Sequence, residues 1–105
     1  MNDTATPAPD DTSTTWAGSA FRRADDRLEA SFRTRDFATG ARLVAAIAEV
    51  AEELGHHPDL TLTYARVDVF LSSHDAGGVT HRDLELARRI DSAAARVGVD
   101  NATGE

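Results

Sequence analysis

The chain of 105 residues has room for one small domain, and a hydrophobic content of 41% is enough for a single core. It has no cysteine, which excludes disulfides, thiol nucleophiles and thiolate metal sites. Net charge is −7, but residues 16–97 hold 13 of the 18 acids and all 11 basic residues, every one arginine, so nothing forms a basic nucleic-acid footprint.

Residues 1–15, MNDTATPAPDDTSTT, are Thr, Asp, Pro and Ala without periodic apolar positions. They read as a disordered tail, because they bury too little surface to offset the entropy of ordering. They also lack the basic and apolar regions of a secretory signal. No apolar run approaches the roughly 18 residues of a membrane span, so a cytoplasmic protein is expected.

SAFRR and RLEASFR flank Ala24-Asp25-Asp26, with Leu28, Ala30 and Phe32 alternating against Glu29, Ser31 and Arg33. That is the pattern of a β-hairpin. DFATGARLVAAIAEVAEELG follows as a helix capped by Asp36 and stopped by Gly55 and Pro58. Its apolar stripe is read as Phe37, Ala41, Val44, Ile47 or Ala48, Ala51 and Leu54.

LTLTYARVDVFLSSH alternates again, Leu60, Leu62 and Tyr64 sharing one face before Val67, Val69 and Leu71. Two strands with a tight connection fit it better than one strand of that length. After the loop DAGGV, Thr80 caps a second helix, with Asp83 as an acidic variant of the capping box. Leu84, Ala87, Ile90 or Asp91, Ala94 and Val97 carry its inner face. NATGE ends the chain, and residues 99–105 read as a second disordered segment. The order ββαββα predicts an α+β domain over 16–98, a four-stranded antiparallel sheet with both helices on one face.

The four histidines are His56, His57, His74 and His81. A histidine at a helix C-terminus is ordinarily explained by the exposed carbonyls and the negative end of the dipole. Two in tandem before a helix-stopping proline ask for more. Glu52, four residues before His56, shares its helical face and is expected to orient that imidazole. His74 ends a strand beside a glycine-rich loop, a rigid base for a functional side chain. His81 is read as solvent-facing and set aside. Adjacent histidines aim in different directions and lack the i, i+4 spacing of helical zinc pairs, so no metal is expected. Ser72 and Ser73 near His74 lack a nucleophile elbow. Acid–base work by imidazole near neutral pH suits these residues best.

Read together, Glu52, His56-His57-Pro58, Tyr64, His74 and Asp83 at their spacings resemble the pterin-4a-carbinolamine dehydratase family. The likeness extends to SFRTRDF, AEELGHHPD and LSSHDAGGVTHRDLELARRID, and covers roughly residues 21–97. It implies dehydration of a 4a-hydroxytetrahydropterin to the quinonoid dihydropterin, with neither metal nor dissociable cofactor. The substrate would come from an aromatic amino acid hydroxylase, and the subunits would form homodimers or homotetramers. The resemblance makes His56 and His74 the acid–base pair and His57 the residue that positions the pterin. Glu52 and Asp83 would support the site, and Ser72 and Ser73 would contact the ring.

The sequence departs from the family in three places. The family's N-terminal helix is missing or degenerate here, and Phe21 fits the position of the usual site-walling Trp better than Trp16 does. Leu60 stands where an aromatic is common, and Ala65 where Asn is. A non-catalytic reading, a protein-binding or dimerisation module serving as coactivator or assembly factor, uses the same fold without needing all three histidines.

Overall fold

The computed structural model describes residues 16–73 and 76–105; the N-terminal segment read as a tail and His74 lie outside them. β1 (Arg22–Ala24) and β2 (Arg27–Arg33) form the first hairpin. Asp25 makes its turn at φ 58°, a left-handed conformation that Asp tolerates better than most residues. Then come α1 (Phe37–Leu54), β3 (Asp59–Thr63), β4 (Arg66–Leu71), α2 (His81–Val97) and β5 (Asp100–Asn101).

The strands lie in the order β1-β2-β4-β3, all antiparallel. Register puts Leu28 opposite Leu71, Ala30 opposite Val69 and Phe32 opposite Val67. Leu60 and Leu62 extend the Val69 and Val67 rows onto β3. Because strand side chains alternate, one register choice turns all these residues to one face and Glu29, Ser31 and Asp68 to the other. The helices cover the apolar face, α1 over β3 and β4, α2 over β2, and they touch each other. Leu43, Ile47, Leu86 and Ile90 fill the space between, each fully buried, and each such side chain contributes about 1.5–3 kcal/mol of transfer free energy.

The α+β arrangement is as the sequence predicts, with one addition. Residues 99–105, read as disordered, instead pair: Asp100–Asn101 run against Arg33 and Phe32 of β2 as a fifth strand. The short β1 leaves that part of the β2 edge open. Ala102 is buried, and Thr103 Oγ1 donates to the Ala20 carbonyl at 2.6 Å. A motif of polar and small residues carries no apolar period, so this pairing was not legible.

The buried face of α1 also differs from the stripe read above. Phe37 is 51% exposed, and Ala41 and Ala48 are exposed. The inner residues are Gly40, Leu43, Ile47, Val50 and Ala51. Gly40 is the reason: a Cβ there would stand 2.6 Å from Leu62 Cδ1, so the missing side chain lets the helix settle onto β3 through this turn. On β3, Tyr64 falls beyond the strand in the turn and is 71% exposed rather than sharing the inner face.

Candidate active site

Gly55 ends α1 at φ 64°, and the N–H groups of Gly55 and His56 bond back to the carbonyls of Glu52 and Ala51 at 3.3 and 3.2 Å. This reversal sends the two adjacent histidines to opposite sides. His56 turns inward and its side chain is only 12% exposed, whereas that of His57 is 61% exposed. Glu52 pairs with His57, Oε2 to Nε2 at 2.6 Å, and not with His56 as helical spacing alone suggests. The i, i+4 rule presumes that both residues are helical, and His56 lies past the left-handed glycine.

His56 instead meets the N-terminus of α2. Thr80 and Asp83 form the expected capping box: the Thr80 hydroxyl accepts from the helix backbone and Asp83 Oδ2 accepts from the Thr80 N–H at 2.9 Å. The Ser73 hydroxyl donates to the same Oδ2 at 2.8 Å and lies 2.8 Å from Thr80 Oγ1. The other oxygen, Oδ1, is 2.6 Å from His56 Nε2. Asp83 is fully buried, and its polar contacts offset the cost of burying it. Both contacts to Oδ2 are donated to it, so the Oδ1 contact is satisfied when His56 Nε2 carries the hydrogen. The lone pair of the neutral ring then sits on Nδ1.

Beside His56 opens a cavity of about 340 Å³, lined by Leu54, His56, His81, Arg82 and Glu85. Its size lies at the lower end of the roughly 300–1,000 Å³ of small-molecule pockets. The structure thus brings together three residues singled out in the sequence, His56, Asp83 and Ser73, and keeps His57 and Glu52 as an exposed pair next door. Ser72 is not part of this group. Strand alternation turns it the other way, into a separate cavity with Arg27, Asp59 and Phe70. Phe21, at the expected site-walling position, is fully buried and packs edge-on against Phe32 at 6.3 Å between ring centroids. Trp16 lies under the Arg88 guanidinium, 4.6 Å from its ring centroid, and does not line the cavity.

The sequence reading missed three residues of the wall, His81, Arg82 and Glu85. His81 and Glu85 are one helical turn apart, but each stands two positions from Asp83 and so on a different side of α2, and Asp83 gave no signal for them. Among the described residues, no group of three or more histidine or acidic side chains is placed to hold a metal ion.

The sequence pattern of the family described as pterin 4 alpha carbinolamine dehydratase matches residues 3–93. A Gloeobacter violaceus protein named "Putative pterin-4-alpha-carbinolamine dehydratase 2" is 52% identical over 63 residues, which are 60% of this chain and 68% of that protein. A similarly named protein of Burkholderia orbicola is 44% identical over 80 residues, 76% of each chain. The crystal structure of a transcriptional coactivator/pterin dehydratase from Brucella melitensis is 36% identical, with a TM-score of 0.67 over 71% of this chain and 82% of its own. A pterin dehydratase-like protein identified as a RuBisCO assembly factor in the alpha-carboxysome shares the fold, with a TM-score of 0.58 over 72% of this chain and 88% of its own at 22% identity. The chain belongs to the pterin 4 alpha carbinolamine dehydratase family.

Proposed function

We propose that this protein dehydrates a 4a-hydroxytetrahydropterin to the quinonoid dihydropterin by acid–base catalysis, with His56 and His74 as the proton-transferring pair. The observation that carries this is the buried Asp83 carboxyl 2.6 Å from His56 Nε2 at the wall of a ligand-sized cavity, in a member of this family.

The C4a hydroxyl is a poor leaving group until it is protonated. The reaction breaks the C4a–O bond as that oxygen takes a proton and departs as water. The N5 lone pair closes the C4a=N5 bond, and a base removes the N5 proton. One imidazole at each side meets both needs, each worth on the order of 10²–10⁴-fold. His56 with its hydrogen on Nε2 starts as the base through Nδ1, and His74 as the acid, with roles exchanging between the two C4a epimers. Asp83 acts through His56, and Ser73 and Thr80 act through Asp83 by fixing the carboxylate that fixes the ring. His57, steadied by Glu52, holds the pterin at the rim. Homo-oligomeric assembly, a cytoplasmic setting and substrate supply by an aromatic amino acid hydroxylase complete this reading, and family membership supports them.

A second reading is a non-catalytic protein-binding module, favoured by the likeness to the Brucella melitensis protein, which is named a transcriptional coactivator as well as a pterin dehydratase. A coupled hydroxylase assay separates the two. Decay of 4a-hydroxytetrahydropterin absorbance is followed with and without micromolar protein. Acceleration supports the dehydratase, and an unchanged decay supports the module.

A further inference from the structure

The part of the cavity wall contributed by α2, namely His81, Arg82 and Glu85, is not used by the acid–base machinery. His81 and Glu85 lie four residues apart in α2, on one helical face, and both line the cavity of about 340 Å³ with His56 and Leu54. Neighbouring acids are consumed internally: Asp83 by His56, Glu52 by His57, and Glu53 by Arg89 across the two helices. Among the described residues, neither the Glu85 nor the His81 side chain takes part in any hydrogen bond or ion pair. They are two side chains of this wall with hydrogen-bonding capacity left for a ligand; Arg82, which also lines it, takes part in an interaction of its own.

We propose that Glu85 is the specificity-determining residue of this cavity, reading the 2-amino-4-oxopyrimidine edge of the pterin, with His81 beside it meeting the 4-oxo group. The inference rests on the pterin reading above and names which edge of that ring faces α2. The chemistry is complementary. The edge presents two adjacent donors, the 2-amino group and N3–H, and a carboxylate is an acceptor at both oxygens, the arrangement that gives short, charge-assisted bidentate pairs. The next atom along that edge, O4, is an acceptor, and His81 one turn earlier presents a ring N–H. Leu54 supplies the apolar surface for the ring face. A 2,4-dioxo ring replaces the 2-amino donor with an oxygen that Glu85 repels, so the same carboxylate selects against it.

The test measures equilibrium binding of pterin and of its 2,4-dioxo counterpart, lumazine, to the full chain. Wild type, Glu85→Gln and a charge control, Glu49→Gln on the exposed side of α1, are compared after circular dichroism shows that each is folded. Wild type and Glu49→Gln are expected to favour pterin by at least about tenfold, since sites built around a ligand donor reject analogues lacking it. In Glu85→Gln the preference should fall to within about threefold, because the amide offers one acceptor and one donor. Wild type binding both rings alike, or Glu85→Gln keeping the full preference, overturns this inference and leaves the pterin reading standing. Equal loss in Glu49→Gln overturns it too, by assigning the effect to net charge. Wild type binding neither ring overturns the inference together with the pterin reading.

Discussion

Replacing Asp83 by Asn keeps the side-chain volume and removes one acceptor from a buried group that has donors on both oxygens. Oδ2 faces the Thr80 N–H and the Ser73 hydroxyl, and Oδ1 faces His56 Nε2. An amide has one oxygen, so it has two orientations. With its nitrogen toward Thr80, the cap N–H is left unsatisfied in the interior, a cost of about 1–3 kcal/mol. With its nitrogen toward His56, the cap survives, and Nε2 must accept rather than donate. The second orientation is the cheaper one, because the imidazole changes tautomer without leaving a buried group unpaired. The hydrogen then moves to Nδ1, and the lone pair that would take the N5 proton is lost from that position. Asp83→Asn is therefore expected to unfold at nearly the wild-type urea midpoint while turnover falls by the worth of one acid–base group, about 10²–10⁴-fold, which is about 2.7–5.4 kcal/mol in the barrier. The assay is the decay of 4a-hydroxytetrahydropterin, run beside urea denaturation. A folded Asp83→Asn protein turning over within about threefold of wild type refutes the role given to Asp83, since loss of an acid–base group costs far more.

Other substitutions test other parts of the account. His57→Ala should raise KM with kcat held within about threefold, as expected for uniform binding of ground and transition states. Gly40→Val places a branched side chain where a Cβ already meets Leu62 at 2.6 Å and Thr34 Oγ1 at 3.3 Å; overpacking should cost about 1–3 kcal/mol in urea unfolding. Asp91 accepts from Ser19 Oγ and the Ala20 N–H at 2.7 and 3.1 Å, yet burial pushes its carboxyl above the ordinary value of 3.8 against those bonds. A raised carboxyl contributes stability that is full below the unfolded value and is lost as pH rises through the folded one. The stability of wild type relative to Asp91→Asn should therefore fall as pH rises from below 3.8 to above the folded value. Asp36 has the opposite sign. The Thr39 N–H, bonded at 2.8 Å, holds its carboxyl below 3.8, so its contribution is present above that value and is lost as pH falls through the lower folded one.

Much of the site was readable because its parts obey local rules. Thr80 and Asp83 form a capping box in sequence and in space, and Gly55 stops α1 where the chain says it should. The pairing of those parts was not readable. Helical spacing assigned Glu52 to His56, but a left-handed residue between them breaks the spacing and gives Glu52 to His57. The true partner of His56 is 27 residues away and is set by how α2 docks beside the end of α1. The same holds for Ser72 and Ser73: alternation says that they part company, but only the sheet's register shows which one faces the site. His81 looked solvent-facing because it is exposed; the cavity wall it belongs to forms only when α1 and α2 meet.

The most direct measurement of the central claim is the rate of 4a-hydroxytetrahydropterin dehydration by His56→Ala against wild type, each folded by circular dichroism. Wild type should accelerate the decay, and His56→Ala should lose at least about tenfold of that acceleration, the lower side of what one acid–base group supplies. A folded His56→Ala protein as active as wild type would contradict the account.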